Sequence, residues 1–302
     1  MKEFALGHGD FPGDLFFAKR KGLPNPSKRN DMLGVRRLPF AVCCLGLLVL
    51  LLSIDLHADV VVPLERAHSH NDYVRKRPLL DALDHGVCSV EADIFLVDGK
   101  LLLGHDLKDV RDDFTLEGVY LEPLRDRVCA NAGRVYPNGP IFTLLIDVKS
   151  EGKSTYERLR TVLAQYEDML TRFTETGMEE KAVTVVISGS RSAAQIAADL
   201  PRFAACDGTR DDIGGDRVLH PLVSMSWGSV FKWNGRDEMP EAERALLKDM
   251  VSRAHANGQR LRFWALPLSK TVWEVLYAEG VDLINVDNLP QIRAFLLEKL
   301  RK

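Results

Sequence analysis

The chain has 302 residues, with 40 Lys and Arg against 43 Asp and Glu, 46% hydrophobic residues, 22 Gly, 14 Pro and 5 Cys. That balance excludes collagen-like, disordered and cysteine-framework proteins. A net charge of −3 also argues against a nucleic-acid binder, which normally carries a basic excess.

The averages hide an uneven start. Residues 1–37 are rich in Gly, Pro and basic side chains, including Lys19, Arg20, Lys21, Arg36 and Arg37, with no sustained apolar period. From Leu38 to Ile54 the chain is almost wholly apolar, LPFAVCCLGLLVLLLSI. As a helix this run spans about 26 Å, the short limit for crossing a bilayer. A signal peptide accounts for it better: Arg36 and Arg37 form the basic flank, and Leu56-His57-Ala58 resembles a small-residue cleavage site. A start at Met32 would give a compact leader of this kind, making residues 1–31 a mis-assigned extension. The alternative is an uncleaved membrane anchor over residues 38–54. Both readings expect a leader at 1–58 and a domain at 59–302 that is extracytoplasmic, either periplasmic or secreted.

The remaining 244 residues carry a net charge of −6. Charge alone therefore gives no argument for a membrane-docking face, and membrane-surface contact stays an open expectation. Three cysteines remain, and an oxidising compartment permits one disulfide among them. Cys88 falls in a strand that reads as buried, which points to Cys129–Cys206.

Strand-like runs then alternate with helical patterns. VVVPLERAH (60–68) reads as a strand and RPLLDALDHG (77–86) as a helix stopped by Gly86. VCSVEADIFLV (87–97) is a strand, and Asp98-Gly99 signals a hairpin into KLLLGHD (100–106). Residues 107–140 read as a long loop with short helices. PIFTLLIDVKS (140–150) is a buried strand, followed by a helix over 153–176. Strands at 181–189, 202–206, 220–227, 260–267 and 281–288 follow, with helices over 192–200 and 239–257, one from 269, and one closing the chain. Eight strands alternating with helices, in a body of this length, predict an α/β fold: a single (β/α)8 TIM barrel with a closed parallel sheet. No Gly-rich turn follows the first strand, which disfavours dinucleotide binding.

In such barrels chemistry sits at the C-terminal strand ends. The first strand delivers His68, His70 and Asn71; the second carries Glu91 and Asp93, and its hairpin returns His105. The third gives Asp147 and Lys149, the seventh Trp264, and the eighth Asp287. Glu91 and Asp93 are two apart and share one side of their strand, as do Asp147 and Lys149. Two carboxylates on one face of an apolar strand need compensating charge. One divalent cation, Mg²⁺ or Ca²⁺, held by Glu91, Asp93 and Asp147 would supply it. The plainer alternative is neutralisation by Lys149 and nearby arginines. With His68 and His105 flanking the metal, these groups would supply what phosphodiester cleavage needs: charge neutralisation, a base and an acid.

The motifs AHSHND (67–72), VEADIFLVDGKLLLGHD (90–106), LLIDVK (144–149), FWALP (263–267) and INVDN (284–288) resemble the glycerophosphodiester phosphodiesterase and phosphatidylinositol phospholipase C-like superfamily. The opening HSHNDY resembles the branch of altered-inheritance-of-mitochondria proteins. The resemblance implies a PLC-like phosphodiesterase barrel. His68 and His105 would be the acid/base pair, Glu91, Asp93 and Asp147 the ligands of a divalent cation, and Lys149 the phosphate-binding lysine. Trp264 would line the pocket, and Asn71 completes a His-x-x-Asn pattern with His68 that is similar to the phospholipase D toxins. Ser69 stands where glycerophosphodiesterases have Arg, no Glu-Asn-Thr follows, and Asp147 replaces a Glu. The implied activity is thus metal-dependent hydrolysis of a phosphoric diester, a glycerophosphodiester or a (lyso)phospholipid, with His70 as the alternative first histidine.

Two other readings compete. A metal-dependent amidohydrolase also uses a barrel, with His68-x-His70 on strand one and Asp287 on strand eight, but expects histidines on strands five and six. A barrel that binds a phospholipid or phosphodiester without cleaving it is the non-enzyme alternative. Residues 107–140 and 207–219 are expected over the pocket, and Trp227, Phe231 and Trp233 either meet an apolar substrate portion or pack.

Overall fold

The computed structural model describes residues 61–301. The leader, with its cleavage or anchoring and Cys43 and Cys44, lies outside the described residues.

The strands are β1 (Leu64–Ser69), β2 (Val87–Val97), β3 (Lys100–Leu103), β4 (Phe142–Val148), β5 (Arg172–Thr174), β6 (Gly177–Glu179), β7 (Val183–Gly189), β8 (Ala205–Cys206), β9 (Leu222–Ser226), β10 (Arg260–Trp264) and β11 (Leu283–Val286). Eight of them run parallel in the order β8-β7-β4-β2-β1-β11-β10-β9. Gly208, two residues beyond β8, closes the ring: its N–H donates to the Leu222 carbonyl at 2.8 Å and its carbonyl accepts from Ser224 N at 3.0 Å. The expected single (β/α)8 barrel is the fold. Around it lie α1 (Leu80–Asp84), α2 (Glu122–Ala130), α3 (Gly152–Leu163), α4 (Ala193–Ala198), α5 (Trp227–Val230), α6 (Glu241–Ala256), α7 (Lys270–Ala278) and α8 (Leu289–Leu300).

Both faces of the barrel strands are buried, which explains their continuous apolar character. One set of alternate positions, such as Val90, Ala92 and Ile94 in β2 or Leu144, Ile146 and Val148 in β4, joins the large core against the helices. The other set points inward. Leu145, Val186, Leu222 and Leu283 form a separate apolar cluster inside the barrel. Two residues further along the same strands stand Asp147, Ser188, Ser224 and Asn285. With a period of two, each strand contributes an apolar floor and then a polar group one step nearer the mouth.

The hairpin at Asp98-Gly99 forms as expected. Both residues have positive φ (47° and 77°), the two-residue turn whose twist matches paired strands. Elsewhere the boundaries differ. The helix expected over 153–176 ends at Leu163 and passes through a 3-10 turn (Ala164–Tyr166) into the β5–β6 hairpin. Thr171, Thr174 and Thr176 are β-branched, and Gly177 lies at φ 140°, so this segment favours extended and turn backbone over helix. Side-chain caps fix helices near the mouth: the Ser269 hydroxyl accepts from Thr271 N, and Asn288 Oδ1 accepts from Gln291 N at 3.0 Å.

The expected Cys129–Cys206 bridge is not formed. Cys88, Cys129 and Cys206 are all free. Cys206 is buried in β8, where its sulfur accepts from Arg191 Nε at 3.1 Å, whereas Cys129 is exposed on α2. Among the described residues no helix is long and apolar enough to cross a membrane.

Candidate active site

Strand β1 ends by continuing its ladder one step, with His70 N donating to Val286 O at 3.0 Å. Asn71 then takes a left-handed backbone (φ 45°) and turns the chain away. His70 and Asn71 thereby reach a cavity of about 670 Å³ at the C-terminal mouth. Glu91, His105, Asp147, Lys149 and Trp264 line the same cavity. The structure thus brings together seven of the nine residues that the resemblance put forward, counting His70 as the alternative first histidine. The other two, His68 and Asp93, lie beneath it, each fully buried.

His68 sits one step lower than His70 on β1. Its Nε2 donates to Glu91 Oε2 at 3.2 Å, because an ionised carboxylate only accepts, and its Nδ1 takes the Ser89 hydroxyl at 2.8 Å. Burial first, and the nearby Arg262 charge second, push its pKa down to about 3, so the ring is neutral. Both nitrogens are engaged and neither faces the cavity. Of the two candidate first histidines, His70 lines the cavity and His68 supports Glu91 from below.

His70 is oriented by Asp287 at the end of β11, its Nδ1 donating to Oδ1 at 2.9 Å. In a neutral imidazole that bond places the proton on Nδ1 and leaves Nε2 without a hydrogen bond, 4.0 Å from Glu91 Oε1. His105 stands exposed across the hairpin, its Nδ1 3.7 Å from Asp106 Oδ1. Trp264, at the tip of β10, is 46% exposed.

The carboxylates are already paired. Glu91 Oε2 meets the Arg262 guanidinium, which Asn285 Oδ1 also holds. Burial alone would raise the Glu91 carboxyl, and Arg262 overrides it and holds it well below the usual carboxylate range. Asp93 Oδ2 accepts from Tyr73 Oη at 2.9 Å and lies 3.0 Å from Lys149 Nζ. Lys149 Nζ is also 2.5 Å from Asp147 Oδ2, and Ser188 Oγ donates to Asp147 Oδ1 at 2.6 Å. Burial would pull the Lys149 pKa down, but Asp147 and Asp93 outweigh it and raise it. Asp93 moves the other way, burial pushing it up to about 6 against the pull of Lys149.

Compensation by Lys149 and Arg262 is the arrangement present. Among the described residues no three His, Cys, Asp or Glu side chains converge as a ready cation site. Even so, Glu91, Asp93 and Asp147 are three negative charges against those two cations, and Asp93 Oδ1 is buried with no hydrogen-bond partner. Asp93 Oδ1 is the unpartnered hard oxygen that a Mg²⁺ or Ca²⁺ ion would take first, with Oε1 the oxygen of Glu91 not committed to Arg262; both Asp147 oxygens already meet Ser188 and Lys149, and one would have to be shared.

Several members went unread in the sequence. Arg262 carries the largest role among them. Its signal was the alternation in RLRFW, which puts Arg260, Arg262 and Trp264 on one face of a strand that must be buried. Asp207, read as part of a covering segment, belongs to the barrel interior, where burial raises it to about 7 against the pull of Arg262. Of the expected covering segments, 207–210 lines the cavity and 107–140 does not. Trp227, Phe231 and Trp233 are buried packing residues, with the Trp227 and Phe231 rings tilted against each other at 4.4 Å and Trp227 edge-on to Phe263 at 5.5 Å. Strands β8 and β9 place Asp207 and Ser224 at the cavity and no histidine, so the amidohydrolase pattern lacks its metal ligands.

A closed parallel barrel whose C-terminal mouth gathers carboxylates, histidines and a lysine is a barrel of the phosphodiesterase type, and residues 54–202 match the AIM6-like phosphodiesterase domain. The chain belongs to the family of altered inheritance of mitochondria protein 6. It is 31% identical over 280 residues to that protein from Eremothecium gossypii, covering 78% of this chain and 70% of the relative. A homologue from Arthroderma benhamiae is 26% identical over 266 residues, covering 78% and 84%. The barrel is also similar to a solved glycerophosphodiester phosphodiesterase from Agrobacterium tumefaciens, with a TM-score of 0.47 and 14% identity over 76% of this chain and 98% of that one.

Proposed function

We propose that the protein hydrolyses a phosphodiester at the barrel mouth. The observation that carries this reading is the gathering of His70, His105 and Lys149 around one cavity, above paired carboxylates. Lys149, held by Asp147 and Asp93, presents its ammonium to a non-bridging phosphoryl oxygen. His70, oriented by Asp287, takes the proton of the attacking water or substrate hydroxyl on Nε2 as the new P–O bond forms. His105 gives a proton to the leaving oxygen as the old P–O bond breaks. A Mg²⁺ or Ca²⁺ ion held by Asp93, Asp147 and Glu91 would add charge neutralisation at the phosphoryl group. Glu91 is fixed for that task by His68 and Arg262. The basic and apolar leader supports an extracytoplasmic place of action.

The test is turnover by the full chain of a panel of glycerophosphodiesters, with and without EDTA. Hydrolysis that EDTA abolishes and Mg²⁺ or Ca²⁺ restores is the expected result. EDTA-insensitive turnover would remove the metal from the proposal. Binding of diesters without turnover of any would replace hydrolysis with the non-catalytic reading.

A further inference from the structure

The cavity at the mouth has two sides of different chemistry. His70, Glu91, His105 and Lys149 line it from β1, the β2–β3 hairpin and β4, which are neighbours in the sheet. Arg191, Arg210, Ser224 and Ser226 line it from the ends of β7, β8 and β9, where the ring closes. At about 670 Å³ the cavity falls in the range of small-molecule sites and has room for more than a phosphoryl group.

Charge is matched on the first side and not on the second. Lys149 pairs with Asp93 and Asp147, and Arg262 pairs with Glu91. Arg191 and Arg210 form no ion pair among the described residues. The Arg191 guanidinium is nevertheless fixed: Nε meets Cys206 Sγ at 3.1 Å and Nη1 donates to Gly189 O at 3.4 Å, which leaves Nη2 unused. Asp207 and Asp212 act on this charge only at longer range. Arg210 follows Thr209, whose N and Oγ1 donate to Asp212 Oδ2 at 2.7 and 2.8 Å. That closed turn sets the Arg210 backbone, while its exposed side chain makes no hydrogen bond among the described residues. Beside them, Ser224 Oγ and Asp207 Oδ1 are buried with no hydrogen-bond partner, the two residues being 9% and 5% exposed. Buried polar atoms are rarely left so, and a polar occupant of the cavity would satisfy them. Two guanidiniums without counter-charge require that occupant to be an anion, because their forked donors match the paired oxygens of carboxylate and phosphate. The scissile diester does not answer this, since its single charge is met by Lys149 on the opposite side.

We infer that the β7–β9 side of the cavity binds a second anionic group of the substrate, a phosphomonoester or a carboxylate. The diester cleaved therefore carries a further acidic group besides its phosphoryl centre. This rests on the function proposed above and narrows its substrate class. Arg191 Nη2 and the Arg210 guanidinium donate to the oxygens of the second group, and the Ser224 hydroxyl donates from below. The scissile phosphoryl group stays with Lys149 and His70.

The experiment compares matched pairs of diesters on the full chain. Glycerophosphoethanolamine is set against glycerophosphoserine, which adds one carboxylate. Glycerophosphoglycerol is set against its terminal phosphate, which adds one phosphomonoester. Kd is read calorimetrically in EDTA, and kcat/KM with Mg²⁺ present. In at least one pair the anionic member is expected to bind about tenfold tighter or more, and the pair that shows the gap names the group. Arg210→Gln and Arg191→Gln are each expected to narrow that gap by about tenfold, with the unfolding temperature reporting an intact fold. Arg210 is exposed, so its variant carries the test if Arg191→Gln fails to fold. Equal Kd within both pairs in the wild type overturns the inference, as does a gap that neither variant narrows. Turnover of all four diesters with equal Kd within each pair removes the second group and leaves hydrolysis standing. A gap that the variants narrow, without turnover of any diester, keeps the subsite and removes hydrolysis.

Discussion

The guanidinium of Arg262 and the carboxylate of Glu91 form a buried ion pair across the barrel, between residues 171 apart in sequence. The guanidinium is held a second time by Asn285 on the neighbouring strand, through Nε at 3.1 Å and Nη2 at 2.6 Å. Removing one partner strands the other charge away from water, which costs about 3–5 kcal/mol, whereas replacing both costs far less. Arg262→Met is therefore expected to lose that much stability in urea unfolding, and Glu91→Met with Arg262→Met to recover most of it. A loss below about 1 kcal/mol in the single variant would show that water reaches Glu91 and that the pair does not organise the site.

His70 and His68 are two residues apart on the same face of β1, and the structure separates their roles. His70 touches the cavity and is polarised by Asp287. His70→Gln is expected to lower kcat by about 10²–10⁴-fold, the range for a general base, with little change in unfolding temperature. His68→Gln should show the opposite emphasis. It disturbs a fully buried hydrogen-bonded group, so stability falls by about 1–3 kcal/mol. Paired kinetics and denaturation on both variants check this; equal kinetic losses at the two positions would contradict the division.

The sequence announced the barrel and most of its mouth for one physical reason. Alternation of apolar strands with helices, together with the period-two spacing of Glu91-x-Asp93 and Asp147-x-Lys149, is local information. The Asp98-Gly99 turn was legible for the same reason. What stayed hidden depends on contacts between distant strands. No spacing rule says that Arg262 will face Glu91, or which of His68 and His70 is the one that reaches the cavity. Depth is set by the register of β1 against β2, where His68 stands beside Ser89. Trp227, Phe231 and Trp233 illustrate the converse: aromatics near a mouth look like substrate contacts until their burial places them in the core.

Asp207 gives the stability a pH dependence of definite sign. Burial raises its carboxyl from an ordinary 3.8 to about 7, opposed by the Arg262 and Arg191 charges and reinforced by Glu91. Between those values the folded chain holds a proton that the unfolded chain has released. Stability from this group is therefore complete at low pH, falls as pH rises from about 4 to about 7, and is flat above. Asp207→Asn removes the fall. Relative to the wild type it is expected to be unchanged near pH 4 and more stable by up to about 4 kcal/mol at pH 8. Urea denaturation of both proteins across this range is the check, and a difference that does not vary with pH would mean that Asp207 is hydrated.

Gly189 closes β7 against the carboxylate of Asp147, and its missing side chain matters for two separable reasons. Its φ is +68°, and a Cβ there would lie 2.4 Å from Val148 O and 2.7 Å from Asp147 Oδ1. Gly99, in the hairpin turn, has φ +77° with nothing within 4 Å of the same Cβ. Gly99→Ala thus meets only the backbone penalty, about 1 kcal/mol, and should leave turnover intact. Gly189→Ala meets that penalty and a collision with the backbone. Asp147 must yield its place beside Ser188 and Lys149, so stability should fall by more than in Gly99→Ala, and kcat/KM by about tenfold or more. Measuring unfolding and turnover for both alanine variants separates strain from displacement. If Gly189→Ala behaved like Gly99→Ala in both, the contact between β7 and Asp147 would be dispensable, and Lys149 would not depend on it for its position.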